Sequence, residues 1–281
     1  MQTLLNTPHE IIQQNILGAA AKAKTRILNI LVLGMMAGAF IAMGAQSSSL
    51  AVHNISNVGL ARTLAGCIFP VGLMMIVFVG GELFTGDCMM SMAWMQRKIH
   101  FTDMLRTLVL VYVSNFAGAA LIAFLVTHSG QYDYSSGALG AYTIKVAYGK
   151  VHLSFTNALV SGILCNILVC VAVLMAAAAK DIAGKVLAIF FPILAFVVSG
   201  FEHCVANMYY IPAGIFASKN AAYAAKALEL YSIDSTQLSS LNWESFAVSN
   251  LIPVTIGNII GGALLVGGAC FYLHGKSLHE S

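Results

Sequence analysis

Long apolar runs separated by short polar stretches organise this chain. Residues 1–25 stand apart as polar. Within them Thr7-Pro8 reads as a helix cap and first helical residue. Ile11, Ile12, Ile16 and Leu17 then recur at helical spacing, followed by Lys22, Lys24 and Arg26. The pattern predicts a short amphipathic helix lying at a membrane surface, and it equally fits a cytoplasmic gate or a plain anchor, which the sequence does not separate. Six apolar stretches follow, at about 27–46, 63–81 (continuing past a break to about 96), 104–127, 154–178, 186–216 with a break, and 247–273. A bilayer-crossing helix needs about 20 such residues. The polar segments at about 129–152 and 217–246 are expected to carry short structure outside the bilayer.

Two stretches are interrupted by residues that do not belong in hydrocarbon. The second breaks at Gly80-Gly81-Glu82-Leu83-Phe84-Thr85-Gly86-Asp87 and the fifth at Ser199-Gly200-Phe201-Glu202-His203. Each is the middle stretch of a set of three. Three spans per half force the halves into opposite orientations, and matched breaks in inverted repeats point to a site near the midplane. Irregular backbone at that depth is tolerated only where it is buried in protein or lines a watery cavity. The N-terminal dipole ends of half-helices meeting there favour an anion.

Composition agrees. The 281 residues are 59% hydrophobic and 9% charged, where a soluble domain is about a quarter charged. The chain is therefore read as an all-α integral membrane protein forming one bundle. A formal charge of +3 carries no nucleic-acid signal. Cys67, Cys88, Cys165, Cys170, Cys204 and Cys270 all fall in apolar segments without a CxxC pair, so they read as buried hydrophobes. No metal or cofactor is called for. With the N-terminus inside, the inner segments carry Lys22, Lys24, Arg26, Arg97, Lys98, Arg106, Lys180, Lys185 and Lys276, against Arg62, Lys145, Lys150, Lys219 and Lys226 outside. That bias places both termini in the cytoplasm. The division expected is a cytoplasmic amphipathic helix at 1–26, a six-helix channel domain at 27–273 and a cytoplasmic tail at 274–281.

Among the polar residues at the breaks, Glu82 and Glu202 are expected to accept backbone N–H groups that hold the breaks in shape, since a bare carboxylate repels an anion. Asp87 is expected to cap the half-helix that follows it. His203 is the side chain that exchanges protons readily near neutral pH, and its place between Glu202 and Asn207 marks it as functional.

Gly200-Phe201-Glu202-His203-x-x-Ala206-Asn207-Met208, Leu83-Phe84-Thr85, Lys150-Val151-His152, Asn166-x-x-Val169-Cys170 and the run from Asn250 to Asn258 (Asn-Leu-Ile-Pro-Val-Thr-Ile-Gly-Asn) resemble the formate/nitrite transporter family, in order, from about residue 8 to 273. The resemblance implies an aquaporin-like six-helix protomer, a homopentamer with one pore per protomer, and a channel for small monovalent anions, chiefly formate, nitrite or hydrosulfide. It implies that His203 is the central pore histidine and that Thr85 hydrogen-bonds it. It places Phe69 and Phe196 at one hydrophobic constriction, and Leu73, Leu83 and Val169 at the other with Phe84 beside it. Lys150, Asn258, Asn166 and Glu202 are implied to attract the anion or support the centre. The run Glu82 to Asp87 departs from the formate branch, whereas the Asn250–Asn258 run is like it.

The function expected is a formate channel of the cytoplasmic (inner) membrane in which His203 donates a proton or holds the anion as an imidazolium, with protons and lipid as its other partners. Hydrosulfide or nitrite is the alternative substrate within the family. A neutral-solute pore or an intramembrane enzyme using His203 and Glu202 are alternatives of other classes. The enzyme reading lacks an H-E-x-x-H motif and a nucleophile with an evident partner.

Overall fold

A computed structural model describes residues 5–275. The expected tail at 274–281, with Lys276, lies outside the described residues beyond Gly275, as do the first four residues of the 1–26 segment. Among the described residues the chain is helical, apart from one isolated bridge between Leu5 and Ala179.

Helix α1 (Pro8–Lys22) starts as the sequence predicts. The Thr7 hydroxyl accepts from the Glu10 N–H at 3.3 Å and the Glu10 carboxylate accepts from the Thr7 N–H at 2.7 Å, a reciprocal box that satisfies two orphan donors. Ile11, Ile12 and Ile16 of its apolar face are buried on protein, while Leu17 stays exposed. Ile12, Ile16 and Ala19 form one cluster with Met89, Met90, Met92 and Val266.

Six candidate spans follow: α2 (Ile27–Val52), α3 (Val58–Val79), α5 (Phe101–Thr127), α7 (Phe155–Ala178), α8 (Ile182–Ser199) and α11 (Trp243–His274). Helix α3 is strongly apolar, yet only about a third of its most apolar stretch is buried. A helix greasy on its outer face as well as its inner one suits a lipid surroundings. The second expected stretch ends α3 at Val79, and Gly80 then takes φ +101°, a conformation open to glycine. Short helical pieces at 84–95, together α4, resume beyond the break. The fifth stretch divides likewise into α8 and α9 (Cys204–Ala217), with Gly200 at φ +70° ending α8. The polar segments hold α6 (Ala138–Val151) and α10 (Ala221–Tyr231).

Small residues bring the helices within backbone contact. A Cβ on Gly38 would sit 2.0 Å from the Asn115 carbonyl oxygen, and one on Gly118 the same distance from that of Met35, so α2 and α5 interlock. In the second half, Gly257 and Gly261 of α11 meet the carbonyls of Leu159 and Ile163 of α7 at 2.2 and 2.3 Å by the same measure. This is the small-residue packing of membrane helices. Helix α11 widens into π-turns over Phe246–Leu251 and Ile260–Val266. Pro253, which has no N–H to donate, follows the first of these.

Candidate functional site

Each break is held by one asparagine from a packed helix. Asn115 of α5 accepts the Phe84 N–H at 3.0 Å and donates to the carbonyls of Gly34 and Glu82, both at 2.8 Å. Asn258 of α11 accepts the Cys204 N–H at 2.9 Å and donates to the carbonyls of Gly162 at 2.8 Å and Glu202 at 3.1 Å. Backbone released by a break has no water to bond in the core of the bundle, and these side chains take that place.

Beside each break stands a lysine. Lys150 of α6 donates to Glu202 Oε1 at 2.8 Å. Glu202 Oε2 accepts from Asn207 Nδ2 at 2.7 Å and from Asn250 Nδ2 at 3.4 Å. Across the pseudo-repeat, Lys22 of α1 is paired with both Glu82 and Asp87. Burial draws the Lys22 ammonium down, but the Asp87 and Glu82 carboxylates outweigh it and hold the group above the usual lysine range. The acids thus answer lysines. The expectation that they accept backbone N–H groups is corrected for both glutamates, and Asp87 makes no side-chain cap to the following turn. A carboxylate in a poorly solvated site gains more from a cation than from a neutral donor.

His203 is buried at the N-terminus of α9. Its Nδ1 accepts from the Ala206 N–H at 3.1 Å and its Nε2 lies 3.0 Å from Thr85 Oγ1. Thr85 comes from the other break, so the two interruptions meet at this contact. The Thr85 carbonyl accepts in turn from Asn166 Nδ2 at 3.1 Å, and Asn166 also donates to the Asn258 carbonyl at 2.6 Å. The four polar residues His203, Thr85, Asn166 and Asn258 form one connected cluster.

A cavity of about 250 Å³ lies against this cluster, with His203, Phe69, Phe196, Lys150 and Arg62 among its walls. The Phe69 and Phe196 rings meet edge to face with centroids 5.4 Å apart, and Phe196 lies 6.0 Å from the His203 ring. Leu73, Leu83, Phe84 and Val169 are buried in the same core. The Phe84 ring packs on Tyr112 at 4.8 Å. A wider vestibule of about 670 Å³ opens beside the 53–57 connection and shares Arg62, Tyr142, Val146 and Lys150 with the inner cavity. Among the described residues no group of three His, Cys, Asp or Glu side chains is placed to hold a metal ion. Asn115, Lys22, Asn207 and Asn250 are the site residues that the sequence reading did not select. The signal for Asn115 was present, an asparagine within the third span matching Asn258 in the sixth.

Comparison with known proteins agrees with this fold. The family model described as formate/nitrite transporter matches residues 9–272. The chain is 38% identical over 272 residues to a probable formate transporter of Methanothermobacter thermautotrophicus, covering 90% of this chain and 91% of that one. It is 35% identical over 252 residues to the formate channel FocA of Escherichia coli strain K12, covering 88% and 86%. A solved structure described as a pentameric formate channel with formate bound superposes with a TM-score of 0.78 at 32% identity, covering 89% of this chain and 98% of that one. A second, an FNT family ion channel, gives 0.79 at 26% identity, covering 94% and 98%.

Proposed function

The chain belongs to the formate/nitrite transporter family, and we propose that it is a homopentameric formate channel of the cytoplasmic membrane, with both termini inside. The relatives named above are channels and transporters, several of them for formate. In this reading Phe69 with Phe196 form one dry constriction, Leu73, Leu83 and Val169 the other, and His203 stands between them.

The dry walls set the chemical problem. A bare anion in low dielectric is costly by many kcal/mol. Protonating a small carboxylate with a pKa of about 3.5–4 costs about 4 kcal/mol at pH 7, at 1.36 kcal/mol per unit. Passage as the neutral acid is the easier route.

The observation that carries the proposal is the pair of bonds on the His203 ring. Nδ1 accepts the Ala206 N–H, so the hydrogen-bond network assigns the ring proton to Nε2, which points at Thr85. At rest the ring is neutral. Proton uptake at Nδ1 forfeits the cap on Ala206, worth about 1 kcal/mol, and an anion in the cavity stabilises the imidazolium so formed. The Nε2 proton then passes to the carboxylate. A neutral acid and a neutral imidazole protonated at Nδ1 result, and the cap reforms when Nε2 takes up a proton from water and Nδ1 releases its own to water, with no net change on the ring. Thr85 holds the ring in register for the transfer. Purified protein in liposomes tests the assignment. Formate is expected to enter far faster than a neutral solute of similar size, with nitrite and hydrosulfide as comparison anions. Equal rates for formate and a neutral solute would point to a neutral-solute pore.

A further inference from the structure

The lysine at the cavity is not free to attract an anion. Lys150 is held by Glu202 at 2.8 Å, and its ammonium also lies 5.3 Å from the Tyr210 ring centroid. The pair is close to neutral as seen from the vestibule. Two other cations face the same space. Arg62, near the start of α3, lines both the vestibule and the inner cavity, and Lys145 of α6 lines the vestibule. Among the described residues neither has a carboxylate partner. Lys145 rests over the Tyr231 ring at 4.6 Å. Glu202, already paired, is the one acid among the vestibule's lining residues.

Arg62 is also positioned rather than loose. A Cβ built on Gly200 would meet Arg62 Nη1 at 3.2 Å, so the guanidinium lies against the bare face of that glycine. Among the described residues its one hydrogen bond to protein is a long one, 3.5 Å to the Val198 carbonyl at the C-terminal end of α8. Most of the five donors of a guanidinium are left for a guest. A planar fork with open donors suits a carboxylate.

We propose that Arg62, assisted by Lys145, forms an anion-loading site at the vestibule floor, which binds the small carboxylate before it reaches Lys150 and His203. This rests on the anion-channel reading above. The charge that draws the substrate is then Arg62 and Lys145, while Lys150 serves to hold Glu202 and the fifth-span break. Focusing of field lines in a low-dielectric mouth raises local anion concentration and entry rate.

The test is initial formate uptake against concentration, by liposomes containing the full chain, at about 0.01 M and about 1 M ionic strength, where Debye lengths are about 30 and 3 Å. Arg62→Gln is expected to raise the half-saturating formate concentration roughly 3- to 10-fold at low salt, with the maximal rate kept within about twofold. The shift is expected to shrink below about twofold at high salt, and Arg62→Lys is expected to restore most of it. Lys145→Gln, on an exposed side chain, should move half-saturation the same way by about twofold, and it stands in if Arg62→Gln does not assemble. An unchanged half-saturation in Lys145→Gln and Arg62→Gln overturns the proposal, as does a shift that salt does not reduce. Failure of the parent protein to pass any anion would instead sink the channel reading on which the site depends.

Discussion

Asn115 and Asn258 make the same three hydrogen bonds in opposite halves of the chain. Each accepts the first N–H of the half-helix beyond a break, and each donates both amide hydrogens to carbonyls, one on a neighbouring helix and one from the break's glutamate. The lysines repeat the correspondence, Lys22 on Glu82 and Lys150 on Glu202. An inverted repeat is thus expressed in the bonding of the breaks as well as in the order of the helices.

Because both asparagines are fully buried, truncating either leaves the first N–H of a half-helix and the carbonyl of the break's glutamate without their partner, while the Gly34 and Gly162 carbonyls keep their bonds within the helix. Asn115→Ala and Asn258→Ala are each expected to destabilise the protomer by about 2–4 kcal/mol, given about 1–3 kcal/mol per unsatisfied buried group and partial relaxation. Thermal unfolding in detergent measures this. Equal midpoints for the parent and both variants would show that the breaks do not depend on these side chains.

Lys22→Gln leaves two neighbouring carboxylates, Glu82 and Asp87, without their cation. Removing one partner of a fully buried pair costs about 3–5 kcal/mol; with Lys22 and Glu82 half-buried and Asp87 buried the loss here is expected to be smaller, and the side chain joins α1 to the second-span break. The variant is expected to expose the 23–26 linker to limited proteolysis, and adding Asp87→Asn is expected to restore most of the protection. A linker equally resistant in parent and single variant would show that packing of Ile12 and Ile16 alone holds α1.

Gly38→Ala tests the closeness of α2 and α5. The added methyl would fall 2.0 Å from the Asn115 carbonyl oxygen, a backbone atom that moves only with its helix. Overpacking of this kind costs about 1–3 kcal/mol. A lowered unfolding temperature and a reduced yield of assembled oligomer by size exclusion are the expected results. The same change at Gly149, where nothing lies within 4 Å of the added carbon, is expected to leave both unchanged.

Thr85→Val keeps the volume and removes the hydroxyl facing His203 Nε2. Oligomer yield is expected to hold, while formate flux falls about tenfold, the equivalent of one net hydrogen bond of about 1.4 kcal/mol. Thr85→Ser is expected to retain most of the flux. Liposome uptake normalised to protein content distinguishes the two.

Much of this was legible in the sequence because bilayer spans and breaks leave coarse marks. The six stretches appear where their length and greasiness place them, and Gly80 and Gly200 end helices where glycine precedes an acid. The pairings were not legible. Glu82 and Lys22 are 60 positions apart in the chain and Glu202 and Lys150 are 52 apart, so only the folded bundle shows that the acids answer cations instead of backbone N–H groups. Helix α1 was legible as a helix, but what it packs on was not. Its apolar face reads the same whether it covers lipid or protein, and here Met89, Met90 and Met92 cover it. The place of Arg62 was hidden because a charge at a span's start ordinarily reads as an orientation signal.

The central claim is that the anion crosses as its neutral acid by way of His203. It is tested by loading liposomes with a pH-sensitive dye, adding external formate, and following internal pH together with labelled formate uptake, for the parent chain and His203→Asn. The account predicts that the parent acidifies the interior in step with formate entry, one proton for each anion, and that His203→Asn loses this coupling while still forming the oligomer. Formate entry with no accompanying acidification in the parent, or coupling unchanged in His203→Asn, would contradict it.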